Sequence, residues 1–238
     1  TSAQSSPIQK EIHFFDNKYY KGINWYAKFF DLIETRREAV KNFEASPYYL
    51  YHPAVPKRIC EHLPDVKAIA VLRDPVDRAI SQYKWIRQVG LETREAAEAF
   101  RYDAERLEWE LAADYLQRFD SPLYFDFDHI HRGYIRRSFY HVQIERWLRY
   151  FPASQLRVVS SSRLFSDSTS VVDKLSEFLG IEHHDHGKQD SINQNSSRPD
   201  IHVSAEARQI ASRHLAKVGD EVRNLLPKAS IIGGSLSF

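Results

Sequence analysis

The 238-residue sequence predicts a single α/β domain with a central parallel sheet flanked by helices. The first observation is an apolar run with β-branched residues, Ala68–Leu72, which is typical of a strand buried in a parallel sheet. Asp74 and Pro75 follow as a helix N-cap and a first helical residue, so a strand, a tight turn and a helix come in direct succession. A second stretch, residues 155–160 with Leu156, Val158 and Val159, predicts another strand, and a helical pattern follows it over residues 168–180.

The composition is that of an ordinary globular protein, with 42% apolar and 27% charged residues. The net charge is +1 at pH 7, so no bulk field favours a nucleic acid or a membrane surface as partner, and any anion site must be local. No apolar run approaches the length of a membrane-spanning helix, which predicts no membrane span. Cys60 is the single cysteine, which excludes an internal disulfide bond and favours a reducing, cytoplasmic compartment. The composition leaves the oligomeric state open.

The chain begins with small and polar residues, 1–6, which predict a frayed terminus. Residues 9–16 then largely alternate between polar and apolar side chains, which predicts a short strand or extended segment. Glu11 and His13 are two residues apart in this segment, so both side chains point to one face. A carboxylate beside an imidazole suits general-base catalysis on a hydroxyl. The alternation by itself favours the alternative, an edge strand with solvated charges.

Helical spacing explains most of the remaining chain. After Pro75, one apolar face recurs at helical intervals through Val76, Ala79, Ile80, Tyr83 and Ile86. A further helix follows Tyr134 and continues through Leu148, and the other predicted helices cover residues 25–30, 55–63, 88–119, 168–180 and 204–226. Gly180 is the expected C-cap of the helix before it, and a long polar loop is predicted over residues 182–200.

Two groups of side chains could suggest a metal ion. Asp126, Asp128, His129 and His131 lie close together in an aromatic, acidic, turn-like segment, and three histidines cluster in the polar loop. Neither group contains a ligand set with an established spacing, so no metal site is predicted.

Arg73 is the strongest candidate for binding an anion, because it stands between the strand and the helix that Pro75 begins. In open α/β sheets ligands bind at the carboxyl ends of the strands, and a helix N-terminus favours anions. A guanidinium can form a planar, bidentate bond to a phosphate. The Ser81 hydroxyl, about two turns into the helix, could add a hydrogen bond. The alternative is an ordinary strand–helix unit with a surface arginine, which the local pattern by itself favours.

The full string Leu-Arg-Asp-Pro-Val-Asp-Arg-Ala-Ile-Ser-Gln-Tyr, residues 72–83, closely resembles the 3′-phosphate-binding segment of the PAPS-dependent sulfotransferases. The resemblance implies that Arg73 and Ser81 bind the 3′-phosphate of the donor nucleotide PAPS, which leaves as PAP. Ser197 and Arg198, in a Ser-Arg-Pro sequence, lie where the family has its second 3′-phosphate loop. The same resemblance therefore makes them further donor ligands.

A second string, Lys-Glu-Ile-His-Phe-Phe-Asp at residues 10–16, resembles the branch that contains the heparan-sulfate and bacterial sulfotransferases. This resemblance implies that Glu11 is the catalytic base and that His13 acts beside it. It also implies that Asp16 and Lys10 lie at the site of the acceptor substrate.

Two further stretches fit the same branch. Residues 44–49, Glu-Ala-Ser-Pro-Tyr-Tyr, match one of its motifs, but Ala45 stands where the heparan-sulfate enzymes usually carry lysine, which favours the bacterial type. A less specific pattern of Arg-Gly, Glu-Arg-Trp-Leu and Phe-Pro runs from residue 132 to residue 156. The resemblance covers residues 8 to about 226. It implies one sulfotransferase domain over residues 1–238, with a parallel-sheet fold related to nucleotide kinases.

The implied activity is in-line transfer of a sulfuryl group from PAPS to an acceptor hydroxyl, with catalysis mainly by positioning and charge stabilisation. The acceptor candidates are a glycan, a small alcohol or lipid, and a hydroxyacyl chain on a carrier protein. The family opens with a strand, a Lys-Gly-Gly/Ser-Thr-Thr-type loop and a helix that bind the 5′-phosphosulfate, and the 238 residues contain no such loop. The alternative function is therefore a non-catalytic nucleotide-binding or interaction module. The 238-residue polypeptide alone is expected to bind PAP weakly and to transfer little sulfate.

Overall fold

The structure, a computed structural model, describes the backbone of residues 2–5 and 40 and all atoms of residues 11–30, 41–108, 112–181, 201–233 and 236. Two strands, β1 (Ser2–Ser5) and β2 (Val40–Phe43), pair with each other in parallel. The main sheet among the described residues is also parallel and has the order β3 (Ala68–Leu72), β4 (Leu156–Ser160), β5 (Ile231–Ile232). The strands predicted over residues 68–72 and 155–160 are confirmed as β3 and β4.

Helices surround the main sheet and connect its strands. Along the described residues they are α1 (Ile23–Ala27), α2 (Tyr48–Tyr51), α3 (Val55–His62), α4 (Pro75–Gln88), α5 (Ala96–Glu105), α6 (Ala113–Gln117), α7 (Phe127–His131), α8 (Tyr140–Leu148), α9 (Ser161–Ser166), α10 (Ser168–Leu179), α11 (Ala205–Leu215) and α12 (Val218–Leu225). The helices predicted at 55–63 and 168–180 are confirmed as α3 and α10. None of the helices in this part of the chain is both long and apolar enough to cross a lipid bilayer.

The turn between β3 and α4 forms as the sequence predicts. The Asp74 carboxylate caps the helix by accepting a hydrogen bond from the backbone N–H of Asp77 at 2.7 Å. Pro75 occupies the first helical position, where its missing N–H leaves no bond unmade. The predicted apolar face packs into the core, with Tyr83 at its centre fully buried. The strand therefore ends and the helix begins at a defined place, with Arg73 between them.

The core lies between the main sheet and the helices on one of its faces, where one buried cluster joins all three strands to α4, α5, α8, α11 and α12. On the other face, Val159 of β4 and Ile232 of β5 pack against Val171 of α10. Val71 of β3 pairs in register with Val159 and so lies on that second face, as does Ile69. These two side chains are 50% and 38% exposed. Helices thus flank both faces of the sheet, as the predicted α/β class requires, and cover β3 less than β4.

Two predictions near the N-terminus are wrong. No strand forms over residues 11–16: residues 11–13 are irregular and a turn covers residues 14–17, because His13 takes a left-handed φ of 56° that ends any extended segment. Residues 2–5 are not frayed but form β1. They find a parallel partner in β2, which lies too far along the chain for local sequence to indicate the pairing.

The two longest predicted helices are each divided. The segment 88–119 contains α5 and α6, and α4 before it ends close to Gly90, which takes a left-handed φ of 76°. The segment 204–226 is divided after Leu215 into α11 and α12. Because α11 packs on α4 and α5 whereas α12 packs on α8, one straight helix could not reach both surfaces.

His52, directly after α2, is a buried histidine that stays neutral. Burial lowers its pKa to about 3, and the nearby cations Arg58 and Arg146 act in the same direction. Its Nδ1 accepts a hydrogen bond from the backbone N–H of Ala54 at 3.2 Å, which requires an unprotonated ring nitrogen. In the unfolded chain this histidine would take up a proton near the ordinary pKa of about 6.5, so acid favours the unfolded state.

We expect His52 to lower the free energy of unfolding by about 2 kcal/mol as the pH falls from about 7.5 to about 5. Its folded-state pKa lies below its unfolded-state pKa, so its contribution is constant above about pH 6.5 and stability is lost below that value. Urea unfolding of the wild type and of His52→Asn at both pH values measures this contribution. The asparagine oxygen can still accept the Ala54 N–H but does not titrate. An equally steep loss of stability in both proteins would contradict the prediction.

Candidate active site

The loop before α1 carries three titratable side chains in one hydrogen-bonded row, Glu11–His13–Asp16. The Nδ1 atom of His13 is 2.7 Å from Asp16 Oδ2, and its Nε2 atom is 3.0 Å from Glu11 Oε2. The Asp16 side chain is fully buried, whereas the Glu11 side chain is 39% exposed. The row therefore runs from the interior of the protein to its surface, with the glutamate at the accessible end.

The two carboxylates determine the protonation state of His13. A carboxylate only accepts hydrogen bonds, so an imidazole between two of them can donate to both only when both of its nitrogens are protonated. In agreement with this, the hydrogen bond to Asp16 raises the pKa of His13; partial burial opposes the shift and Glu11 adds to it. Both contacts therefore favour the imidazolium form of His13, in which it can donate to Asp16 and to Glu11.

The backbone of this loop is held by hydroxyl groups from another segment. His13 is the one non-glycine residue with a positive φ in the part of the chain that the structure describes, and such a conformation is strained. Ser46 Oγ accepts the N–H of His13 at 3.3 Å. Tyr49 Oη accepts the next two N–H groups, those of Phe14 and Phe15, at 2.8 and 3.2 Å. Three successive amides of the loop thus bind hydroxyls of the segment at 44–49.

Two cations hold the carbonyl groups of the same loop. Lys18 Nζ donates to the carbonyl of Ile12 at 2.8 Å. Arg58 of α3 donates to the carbonyl of Phe15 at 2.8 Å and to that of Asp16 at 3.3 Å. These cations thus hold the backbone of the loop, while His13 bonds one carboxylate of the row on each side.

Arg73 lies where the sequence places it, at the carboxyl end of β3 directly before α4. Its side chain is exposed, while its backbone carbonyl accepts a hydrogen bond from the Tyr140 hydroxyl at 3.1 Å. Ser81 is partly buried on α4. An accessible guanidinium at this edge of a parallel sheet can bind a phosphate, and the tyrosine keeps the strand end in place.

Arg137 is a cation that packs against α2. Its guanidinium packs over two tyrosine rings of α2, at 5.2 and 5.4 Å from the ring centroids. Burial lowers its pKa, and Tyr140 and Asp16 are among the nearby groups that oppose this shift. One cation is thus within electrostatic range of both the buried end of the row and the tyrosine that holds the Arg73 backbone.

The sequence-predicted site residues fall into three groups. The row residues come together through a turn rather than through the predicted strand, and Arg73 and Ser81 lie on the predicted β3–α4 unit. The remaining candidates lie outside the described residues: Lys10, Ser197 and Arg198.

The residues that hold the loop were not found from the sequence. The motif at 44–49 marks the family branch, but nothing in its spacing places Ser46 or Tyr49 against a loop more than thirty residues earlier. One feature of the sequence could have indicated this contact. Residues 44–49 combine a carboxylate, a serine hydroxyl and tyrosine hydroxyls around one proline.

The acidic and histidine residues at 126–131 serve structural contacts. Asp126 caps α7 by accepting the backbone N–H of His129 at 2.8 Å, and Asp128 pairs with Arg132 at 3.2 Å. The described residues contain no group of three or more side chains that could hold a metal ion.

The fold and the site together define a class of protein. It is an α/β protein with an exposed arginine at the carboxyl edge of a parallel sheet and a carboxylate–imidazole–carboxylate row on the loop before α1. Residues 2–216 match the family model of the sulfotransferase domain. The chain therefore belongs to the sulfotransferase family.

Relatives of this chain support the same family. The chain is 34% identical over 176 residues to the bifunctional heparan sulfate N-deacetylase/N-sulfotransferase 4 of Mus musculus. This aligned region covers 74% of this chain and 18% of that protein. It is 32% identical over 174 residues to the heparan sulfate glucosamine 3-O-sulfotransferase 5 of Homo sapiens. This aligned region covers 72% of this chain and 45% of that protein. The matched region thus spans less than half the length of either relative.

A solved structure confirms the fold. The sulfotransferase from Alicyclobacillus acidocaldarius superposes with a TM-score of 0.65 at 23% identity, over 94% of this chain and 85% of that one. The family match and the heparan sulfate relatives in turn confirm the resemblance to the sulfotransferases that was inferred from the strings at 10–16 and 72–83.

Proposed function

We propose that this protein transfers a sulfuryl group from PAPS to the hydroxyl of an acceptor. The observation that carries the proposal is the Glu11–His13–Asp16 row, in which a buried aspartate and an imidazolium orient a glutamate at the surface. In a sulfotransferase domain, such a glutamate is suited to accept the proton of the attacking hydroxyl. Its exposure of 39% gives an acceptor access to it.

In the proposed reaction the acceptor oxygen attacks the sulfur atom of PAPS while Glu11 accepts the hydroxyl proton. A new S–O bond joins the sulfuryl group to the acceptor, and the S–O bond to the 5′-phosphate breaks with its electron pair remaining on PAP. His13 keeps Glu11 oriented through the 3.0 Å contact, and Asp16 keeps His13 oriented through the 2.7 Å contact. Glu11 then releases the proton to solvent, which restores the carboxylate.

For the donor, we propose that Arg73 binds the 3′-phosphate of PAPS and that Ser81 adds a hydrogen bond. The exposed position of Arg73 at the carboxyl end of β3, beside the N-terminus of α4, supports this role. Ser197 and Arg198, which lie outside the described residues, are proposed to assist.

For the acceptor, we propose that a hydroxyl group binds at the exposed end of the row, near Glu11 and Lys10, and that the fully buried Asp16 acts on it only through His13. The curated relatives are named for heparan sulfate, which favours a glycan over the other candidates, a small alcohol or lipid and a carrier-bound hydroxyacyl chain. Ala45 is exposed and stands where heparan-sulfate enzymes usually carry lysine, which favours an acceptor without sulfate groups.

We further propose one sulfotransferase domain over residues 1–238. The free, partly exposed Cys60 suits a reducing, cytoplasmic compartment.

Incubation of the full-length protein with radiolabelled PAPS tests the proposed function. The acceptor panel contains an unsulfated and an N-sulfated glycan, a simple alcohol, and a carrier protein with a hydroxyacyl chain. We expect label in at least one acceptor and an equal amount of PAP. Binding of PAP without transfer to any acceptor would favour the alternative, a non-catalytic nucleotide-binding module. Failure of both binding and transfer would contradict a PAPS-dependent function altogether.

A further inference from the structure

A carboxylate outside the row, Glu44, binds three hydroxyl groups at once. Its Oε1 atom accepts hydrogen bonds from Ser46 and Tyr49, both at 2.7 Å, and its Oε2 atom accepts one from Tyr26 of α1 at 2.8 Å. Glu44 is only partly exposed and Tyr26 is buried. Placing a charged group among apolar neighbours is costly unless it is hydrogen-bonded, so this arrangement calls for an explanation of its own.

The two hydroxyls on Oε1 are the ones that hold the loop of the row. Ser46 accepts the N–H of His13, and Tyr49 accepts the two N–H groups that follow it. A hydroxyl has one proton and can both donate and accept. Because a carboxylate oxygen only accepts, Glu44 takes the proton of each hydroxyl and leaves the hydroxyl lone pairs for the loop amides. One carboxylate thus sets the direction of every bond in this network.

The raised pKa values of the two tyrosines support the conclusion that the hydroxyls donate to Glu44. Burial first, and then the charge of Glu44, raise the pKa of both Tyr49 and Tyr26 well above the usual value for tyrosine. Both phenols therefore keep their protons and donate them. Both rings also pack on the loop: Tyr26 stacks on Phe14 with centroids 4.8 Å apart, and Tyr49 meets Phe15 edge-on at 5.8 Å. Removal of either hydroxyl leaves this ring packing in place.

We propose that Glu44 is a positioning residue for the row: through Ser46 and Tyr49 it holds His13 in its left-handed conformation and so directs Glu11 at the acceptor. A strained residue persists only where its surroundings over-determine it, and three successive amides tied to one carboxylate meet that requirement. The inference rests on the proposed role of Glu11, but the loop geometry that it describes can be measured without catalysis.

A pair of tyrosine variants separates positioning from stability. Tyr49→Phe removes the hydroxyl that joins Glu44 to two loop amides. Tyr26→Phe removes the hydroxyl that donates to the other oxygen of Glu44 at a similar distance. Among the described contacts, the Tyr26 hydroxyl accepts no hydrogen bond from an amide of the loop. Each variant keeps its aromatic ring, and each is expected to lower the melting temperature.

The expected results differ between the two variants. Tyr49→Phe should lower kcat about 10- to 100-fold in the full-length protein with PAP affinity unchanged, because small displacements of reacting groups are costly. It should also move the His13 titration, followed by NMR, down toward that of an ordinary histidine. Tyr26→Phe should keep kcat and the His13 titration near those of the wild type. Glu44→Gln, which retains an oxygen acceptor, should keep more activity than Glu44→Ala.

Two results would overturn the proposal. Equal effects of Tyr49→Phe and Tyr26→Phe on kcat and on the His13 titration would make Glu44 a stabilising group only. If no variant and no wild-type protein transfers sulfate, the proposed function fails, but the His13 titration still decides the positioning role: a shift in Tyr49→Phe alone supports it, and no shift in either variant overturns it.

Discussion

Glu11→Gln is expected to lower the turnover of sulfate transfer about 10²- to 10⁴-fold while PAP binding stays near the wild-type value. The glutamine keeps the size and polarity of the side chain but cannot take a proton from the acceptor hydroxyl. Glu11 lies at the exposed end of the row, on a different segment from the β3–α4 unit that we propose binds the donor. Steady-state transfer from labelled PAPS and calorimetric binding of PAP measure the two functions separately.

Two variants of His13 control for the roles within the row. His13→Asn removes the imidazole but suits the left-handed backbone, whereas His13→Ala also places a less suitable residue there. Both should reduce turnover less than Glu11→Gln does if His13 only orients the glutamate. A severe loss in His13→Ala together with a mild loss in Glu11→Gln would contradict our assignment and make the imidazole the base.

The second large effect is expected on donor binding: Arg73→Ala should weaken PAP binding about 10- to 100-fold and leave the fold intact. The substitution removes a charge-assisted bond from a guanidinium to the 3′-phosphate. The fold should persist because the side chain is exposed and the backbone carbonyl still accepts its bond from Tyr140. Calorimetry with PAP measures the affinity, and circular dichroism confirms that both proteins are folded.

Arg149→Ala is the matched control for this substitution. Arg149 is also an exposed arginine, but it lies at the opposite end of α8 from Tyr140 and pairs with Glu145 at 3.3 Å. Its removal should leave PAP affinity unchanged, whereas Ser81→Ala should show a smaller loss of the same kind as Arg73→Ala. Equal affinities of the wild type and Arg73→Ala, both folded, would show that the 3′-phosphate is bound elsewhere.

Neighbouring residues along the chain determined the part of the site that we propose binds the donor. The strand, its end and the helix start between residues 68 and 88 follow from an apolar run, from Asp74 bonding an amide three residues ahead and from Pro75 at a position where its missing N–H costs nothing. Because every one of these interactions is local, the sequence by itself was sufficient to predict both the β3–α4 unit and the place of Arg73 at the edge of the sheet.

Contacts between distant segments decided the part of the site that we propose is catalytic. The sequence supplied the right side chains in residues 11–16, yet their alternation predicted a strand, because local preference opposes a left-handed His13. In the folded protein the amides of this loop donate hydrogen bonds to the hydroxyls of Ser46 and Tyr49, and so the row depends on tertiary contacts. The same reason explains β1, whose parallel partner is distant in sequence, and the division of the last helix into α11 and α12, which pack on different neighbours. Tertiary bonds can stabilise a backbone conformation that the local sequence disfavours, and no pattern within a short segment reveals them.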